Sequence, residues 1–298
     1  MILVCGATGY IGGLLADSLL DQGDAPVRCA VRTPSKASDL ERAGAEIVKA
    51  DMLDPDTLPP ALEGVDTAYY LIHSMGRGGD GDFEERDHDA AENFATAAKE
   101  AGVSRIIYLG GLGNPESKHL RSRHETAKVL ERSGIPMTYF RAAAVLGAGS
   151  ESFLTVYWLV KRLPLMLAPS WTENRTQPIA VADVLAYLRA APGVEEAAGR
   201  TIEIGGPEIT TYAGMMDAMA DAIGVRRRPR LHVPVLTPTL SSHWIGLVTP
   251  VDPGVAKPLV EGLATDTVVE DDSGMELFDV ERTPLKAAMK AAAEEMED

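Results

Sequence analysis

Met1-Ile2-Leu3-Val4-Cys5-Gly6-Ala7-Thr8-Gly9-Tyr10-Ile11-Gly12 opens the chain, and its reading decides the fold. The apolar run over residues 2–5 predicts a short buried strand. Helical spacing from residue 10 to residue 22, stopped by Gly23, predicts a helix after it. Between them lie glycines at positions 6, 9 and 12. Such a pattern is weak alone and specific only between a strand and a helix. Without Cβ atoms the backbone can turn tightly and let a phosphate approach. The N–H groups of Tyr10 and Ile11, at the helix start, can then bind that anion. Gly12 lets the helix pack closely on the strand. Gly6, Thr8, Gly9, Tyr10, Ile11 and Gly12 are therefore candidates to hold the pyrophosphate of a dinucleotide.

Outward from this loop the pattern repeats. Strand-like runs recur at residues 27–32, 46–50, 67–73, 105–109 and 137–145. Helix-like segments alternate with them at 40–43, 58–62, 83–101 and 123–133. This alternation predicts βαβ units on a parallel sheet. Right-handed crossovers make that an α/β Rossmann, doubly wound fold. The rhythm breaks after Gly149. Residues 150–177 read as an apolar helix and a Pro-rich segment, and 178–191 as a strand and helix returning to the sheet. Residues 201–204 (strand) and 212–223 (helix) open a different pattern, Pro-rich as far as Pro258. The expected division is a Rossmann domain over 1–150, rejoined by 178–192, and a smaller, partly interleaved lobe over 151–298. Within that lobe 270–272 reads as a solvated acidic turn and 284–296 as an amphipathic terminal helix.

Composition narrows the function. The 298 residues are 45% hydrophobic, enough for a substantial core. Forty-four acids against 28 bases leave a net charge of -16, which disfavours nucleic acid and anionic lipid. Two cysteines, Cys5 and Cys29, sit in apolar strand-like runs and are expected to be reduced core thiols. The most apolar later stretch, 153–169, is broken by Lys161, Arg162 and Pro164 and is too short to span a bilayer. No basic leader precedes the glycine loop. A cytoplasmic protein without membrane insertion is expected. The six histidines lack metal-ligand spacing, so no metal is expected.

The end of the second strand should meet the adenosine ribose. An acid there would accept the 2′-hydroxyl of NAD, whereas an arginine suits the 2′-phosphate of NADP. Arg32 holds that place, followed by Ser35 and Lys36, and Asp39 comes too late. A guanidinium forks well onto phosphate, so NADP is the expected cofactor and NAD the alternative. Asp51 and Met52 end the third strand and can flank adenine. Leu71, Ile72 and His73 end the fourth strand, which opens on the ligand crevice of such sheets.

With these residues in place, the chain resembles the short-chain dehydrogenase/reductase superfamily in its extended and atypical branches. The spacing of Gly6, Gly9 and Gly12 carries the resemblance, as do residues 44–54 with Ala50-Asp51-Met52. So do Arg105-Ile106-Ile107-Tyr108-Leu109-Gly110-Gly111, the Phe140-Arg141 strand and the return segment 177–187. The likeness spans essentially the whole chain and is greatest to the NmrA-like, NAD(P)H-binding reductase group. There the segment 236–263, rich in Pro and Trp, reads as a subgroup feature. The resemblance implies an NAD(P)-binding Rossmann domain, a variable C-terminal lobe, a small-molecule substrate and a homodimer paired through Rossmann helices. It adds Gly110 and Arg141 to the expected cofactor contacts.

Chemistry in that superfamily rests on Ser or Thr followed by Tyr-x-x-x-Lys. The tyrosine hydroxyl exchanges a proton as hydride moves, and the lysine lowers its pKa and holds the nicotinamide ribose. The matching helix here reads His124-Glu125-Thr126-Ala127-Lys128, and the strand position of the serine reads Gly110-Gly111. Three readings stay open. His124 replaces the tyrosine as acid, with Lys128 on the ribose. Or hydride passes to a quinone-like acceptor that draws protons from water, and Lys128 only positions cofactor. Or the cofactor is a ligand of a redox sensor or assembly subunit. Arg121, Arg123 and Arg175 are weaker candidates for meeting an anionic substrate. Trp158, Trp171 and Trp244 are candidates for an apolar pocket. The expected activity is NADPH-dependent reduction of an apolar carbonyl or quinone. The alternative is a non-catalytic NADP-binding regulator, and sugar-nucleotide epimerisation, which needs the same tyrosine, ranks last.

Overall fold

The computed structural model describes residues 1–73, 83–113, 117–233, 249 and 265–297. The apolar runs of the first half form β1 (Ile2–Cys5), β2 (Val27–Val31), β3 (Glu46–Lys49), β4 (Thr67–Tyr70), β5 (Arg105–Gly111) and β6 (Met137–Ala142). The short strands β7 (Val145–Leu146), β8 (Met166–Pro169), β9 (Arg175–Thr176) and β10 (Ile179–Ala180) follow, then β11 (Thr201–Ile204), β12 (Thr210–Thr211) and β13 (Arg230–Val233). The main sheet has seven strands in the order β11-β6-β5-β4-β1-β2-β3. Every pairing within it is parallel. The order reverses between β1 and β4, so a crevice opens there at the C-terminal strand ends.

Both faces of this sheet are covered, which is why its strands read as continuous apolar runs. One face carries α1 (Tyr10–Gln22), α2 (Ser38–Arg42) and, later, α7 (Val181–Ala190), packed on Val4, Cys29, Ile107 and Phe140. The other carries α3 (Leu58–Leu62), α4 (Phe83–Glu100) and α5 (Lys118–Arg132), packed on Leu3, Cys5, Ile106 and Tyr108. A separate apolar cluster joins α6 (Glu151–Arg162), α8 (Tyr212–Ala222) and the terminal α9 (Leu285–Glu295) through Phe153, Tyr157, Met215, Met219 and Met289.

The structure corrects the sequence reading at two elements, and it adds detail to the acidic turn and the two cysteines. Residues 201–204, expected to open the smaller lobe, are the edge strand of the main sheet, with Thr201 opposite Tyr139. A four-residue strand carries too little pattern to reveal which sheet it joins. Helix α5 begins at Lys118, not at 123, because Ser117 caps it by accepting the N–H of Leu120 at 3.2 Å. The acidic stretch 270–272 is exposed but anchored: the N–H groups of Glu270 and Asp271 donate to Glu203. Cys5 and Cys29 lie on neighbouring strands, yet Cys29 pairs with Val4 and Cys5 with Ala30. Successive residues alternate faces, so the thiols belong to opposite sides of the sheet. Burial pushes the Cys29 thiol up to about 12 and raises that of Cys5 further. Among the described residues no helix is long and apolar enough to cross a membrane. Trp244 and the segment 236–263, apart from Thr249, lie outside the described residues.

Candidate functional site

The glycine loop leaves β1 at Gly6 with φ of +91°, a conformation that L side chains rarely adopt. A Cβ on Gly6 would sit 2.6 Å from the carbonyl oxygen of Leu71, and one on Gly12 would sit 2.2 Å from that of Gly6. The loop closes by a bond from the Gly9 N–H to the Gly6 carbonyl at 2.9 Å. Gly9 caps α1 with no side-chain bond, and the first turn of that helix holds no acid. The N–H groups of Tyr10 and Ile11 are thus left for an anion.

Two cavities flank this loop. One, of about 280 Å³, is lined by Gly6 and Thr8 with Arg32, Asp51, Met52 and Arg86. The other, of about 250 Å³, is lined by Gly9 to Gly12 with Leu109, Gly110, Arg123 and Gly149 to Ser152, where α6 begins. His73 is common to both; Leu71 faces the second and Ile72 the first. Two nucleoside-sized spaces joined across a pyrophosphate-binding loop match the shape of a dinucleotide. The first suits adenosine and the second nicotinamide.

The expected contacts divide accordingly. Gly6, Thr8, Arg32, Asp51, Met52 and Ile72 line the adenosine side, and Gly9, Tyr10, Ile11, Gly12, Leu71 and Gly110 the nicotinamide side, with His73 on both. Ser35 and Lys36 are exposed on the short turn after Arg32 and line neither. Arg141 lines neither. Its guanidinium pairs with Glu203 at 3.0 Å and donates to the Gly111 and Gly113 carbonyls at 3.4 and 3.0 Å. Its place is to hold the end of β5 and the 270–271 turn, since Glu203 also receives the N–H groups of that turn.

Helix α5 presents a different residue from those the Tyr-x-x-x-Lys spacing singles out. Arg123 lines the nicotinamide-side cavity; His124 and Lys128 do not. Lys128 is half-exposed and paired with Glu125 at 2.8 Å. His124 is half-buried with its ring edge-on to Tyr139, centroids 6.3 Å apart. The next residue on the Arg123 face, four on, is Ala127, which is buried. Arg123 is held firmly: its Nη1 donates to the Leu109 carbonyl at 3.0 Å, and the Tyr108 hydroxyl donates to its backbone oxygen at 3.2 Å. Tyr108 itself is core.

Gly110 also has a physical reason. A Cβ there would meet the Tyr139 hydroxyl at 2.7 Å. The phenol fills the space a serine would need, and its buried oxygen has no hydrogen-bond partner among the described residues. Tyr10 plays a similar wedge on the other wall, where Cβ atoms on Gly147 or Gly149 would come within 2.3 Å of it. The signal for Arg123, Arg86 and the start of α6 at 149–152 was weak in sequence, because none belongs to a spaced motif. Outside both cavities, His88, Asp89 and Glu92 bring ligand atoms within 4.8 Å of one another on α4.

Burial, then Arg141 and Lys128, holds the His124 imidazole below its ordinary value. The unfolded chain therefore takes up this proton near pH 6.5 and the folded chain only at lower pH. Stability from this residue is complete above about pH 6.5 and is lost as pH falls through the folded value. In urea unfolding, His124→Gln should narrow the stability gap between neutral and mildly acidic pH; an unchanged gap contradicts this.

Comparison with known proteins settles the family. Residues 6–156 match the family described as NAD(P)H-binding. The chain belongs to that family. Within it the protein falls among the atypical short-chain dehydrogenase/reductases. It is 27% identical to the NAD(P)H azoreductase of Xenophilus azovorans over 252 residues, 75% of this chain and 85% of that one. It is 26% identical to the photosystem II assembly factor Ycf39 of Synechocystis over 213 residues, 69% of this chain and 62% of that one. The fold superposes on the Citrobacter triphenylmethane reductase in complex with NADP(H), with a TM-score of 0.76, 20% identity, and 98% and 99% of the two chains covered. The glycine cradle and the paired cavities of this family member fit an NAD(P)H cofactor.

Proposed function

We propose that this protein is a cytoplasmic, NADPH-preferring reductase of an apolar carbonyl or quinone. The observation that carries the reading is the cavity of about 250 Å³ beside the glycine loop, walled on one side by Leu71, Leu109, Ala142 and Val145, where, among the described residues, Arg123 supplies the one guanidinium and that guanidinium is held in place. Bound NADPH supplies hydride there. Arg123 binds the acceptor oxygen and stabilises the negative charge that develops on it, without moving as it does so. Leu71, Leu109, Ala142 and Val145 keep the acceptor's flat face out of water. Arg32 takes the 2′-phosphate and sets the preference for NADPH. A quinone oxyanion draws its protons from solvent, so the absent tyrosine and serine do not stop the reaction. A homodimer through the Rossmann helices belongs to this proposal.

One observation favours a second reading, a non-catalytic NADP-binding regulator or assembly subunit. Tyr139 occupies the serine's space at Gly110, and an assembly factor is among the relatives. The deciding experiment follows NADPH oxidation by purified protein across quinones, aromatic aldehydes and azo dyes, with NADH as control. Turnover of any acceptor class, faster with NADPH, is the expected result. Saturable NADPH binding with no turnover across all three classes would overturn the reductase in favour of the regulator.

A further inference from the structure

Arg32 is not the only guanidinium of the adenosine-side cavity. Arg86, in the first turns of α4, lines it too, and Ala90, one turn further on, carries the same helix face along the cavity wall. The surroundings make this arginine conspicuous. Helix α4 carries Glu84, Glu85, Asp87, Asp89 and Glu92 around it, in a chain of net charge -16. Of those acids none lines the cavity, whereas the arginine does. Among the described residues that line the cavity the one carboxylate is Asp51, just after β3. A cavity walled by two arginines from separate elements, beside a loop whose N–H groups await an anion, is built for more than one phosphate.

We propose that Arg86 binds a phosphate of the cofactor and acts with Arg32 as a second determinant of cofactor affinity. The phosphate is either the 2′-phosphate or the pyrophosphate. This rests on cofactor binding alone, so it can fail while the reductase reading holds, and the reverse. A guanidinium on a phosphate makes charge-assisted, forked hydrogen bonds. Losing them should weaken binding about tenfold or more, and the effect should shrink as salt is added.

The test is calorimetric binding of NADPH, NADH, 2′,5′-ADP and 5′-ADP to the full chain, as wild type, Arg86→Gln, Arg86→Lys and Arg32→Gln. Arg86 is exposed, so its variants should fold, and a thermal melt checks this. Weakening of NADPH and 2′,5′-ADP alone by Arg86→Gln, partly restored by lysine, places the contact on the 2′-phosphate. Weakening of NADPH, NADH and 5′-ADP places it on the pyrophosphate: on the phosphate attached to adenosine if 2′,5′-ADP weakens equally, and on the outer phosphate if 2′,5′-ADP does not. Wild-type affinity of Arg86→Gln for all four, with NADPH weakened by Arg32→Gln, overturns the proposal.

Discussion

Gly12→Ala should weaken NADPH binding by about a hundredfold and lower stability by about 1–3 kcal/mol. Alanine is a small change wherever its Cβ has room. At position 12 the added carbon would lie 2.2 Å from the Gly6 carbonyl oxygen and 2.7 Å from its carbonyl carbon. Both are backbone atoms, so no side chain can swing aside. The loop or helix α1 must move, and the N–H groups of Tyr10 and Ile11 move with it. Gly193→Ala is the matched control, because nothing lies within 4 Å of its Cβ position. It should leave affinity and melting temperature unchanged. Fluorescence titration with NADPH and a thermal melt measure both. Wild-type affinity in Gly12→Ala would remove this loop from the cofactor site.

Arg123→Ala should lower kcat/KM for the best acceptor by about a hundredfold to a thousandfold, the range for losing one preorganised donor to a developing oxyanion. NADPH affinity should change much less, since the adenosine-side contacts remain. Arg123→Lys should recover part of the rate, because the charge persists but not the fork. His124→Phe and Lys128→Ala should retain most of it. The reason is placement: Arg123 lines the cavity, Lys128 is turned to Glu125 in solvent, and His124 packs against Tyr139. Collapse of activity in Lys128→Ala with little change in Arg123→Ala would restore the spacing-based assignment and refute this one.

These two sites differ in how far the sequence exposes them. Gly6, Gly9 and Gly12 were legible because a steric need that only glycine meets leaves a spaced mark. Asp51, Met52 and the 71–73 strand end were legible because the switch point of a doubly wound sheet is set by element order. Arg123 was hidden. One residue along a helix is a rotation of about 100°, and the Tyr-x-x-x-Lys spacing at 124–128 looked like the working register. Which side of α5 faces the crevice depends on how Ser122, Thr126, Ala127 and Leu130 pack, and that is a property of the packed helix. Arg141 misled for a related reason. Its strand position was read correctly, but its charge is consumed by Glu203, which arrives on a strand 62 residues later.

By itself, then, the sequence determined the parallel α/β sheet and the glycine loop between its first strand and helix, because periodicity and glycine spacing are local and survive in one dimension. The tertiary structure alone decided that 201–204 completes the main sheet, that Tyr139 fills the serine's place at Gly110, and that Arg123 lines the nicotinamide-side cavity. Each of these rests on contacts between residues distant in the chain or on the rotation of a helix about its axis, and neither is written in the spacing of residue types.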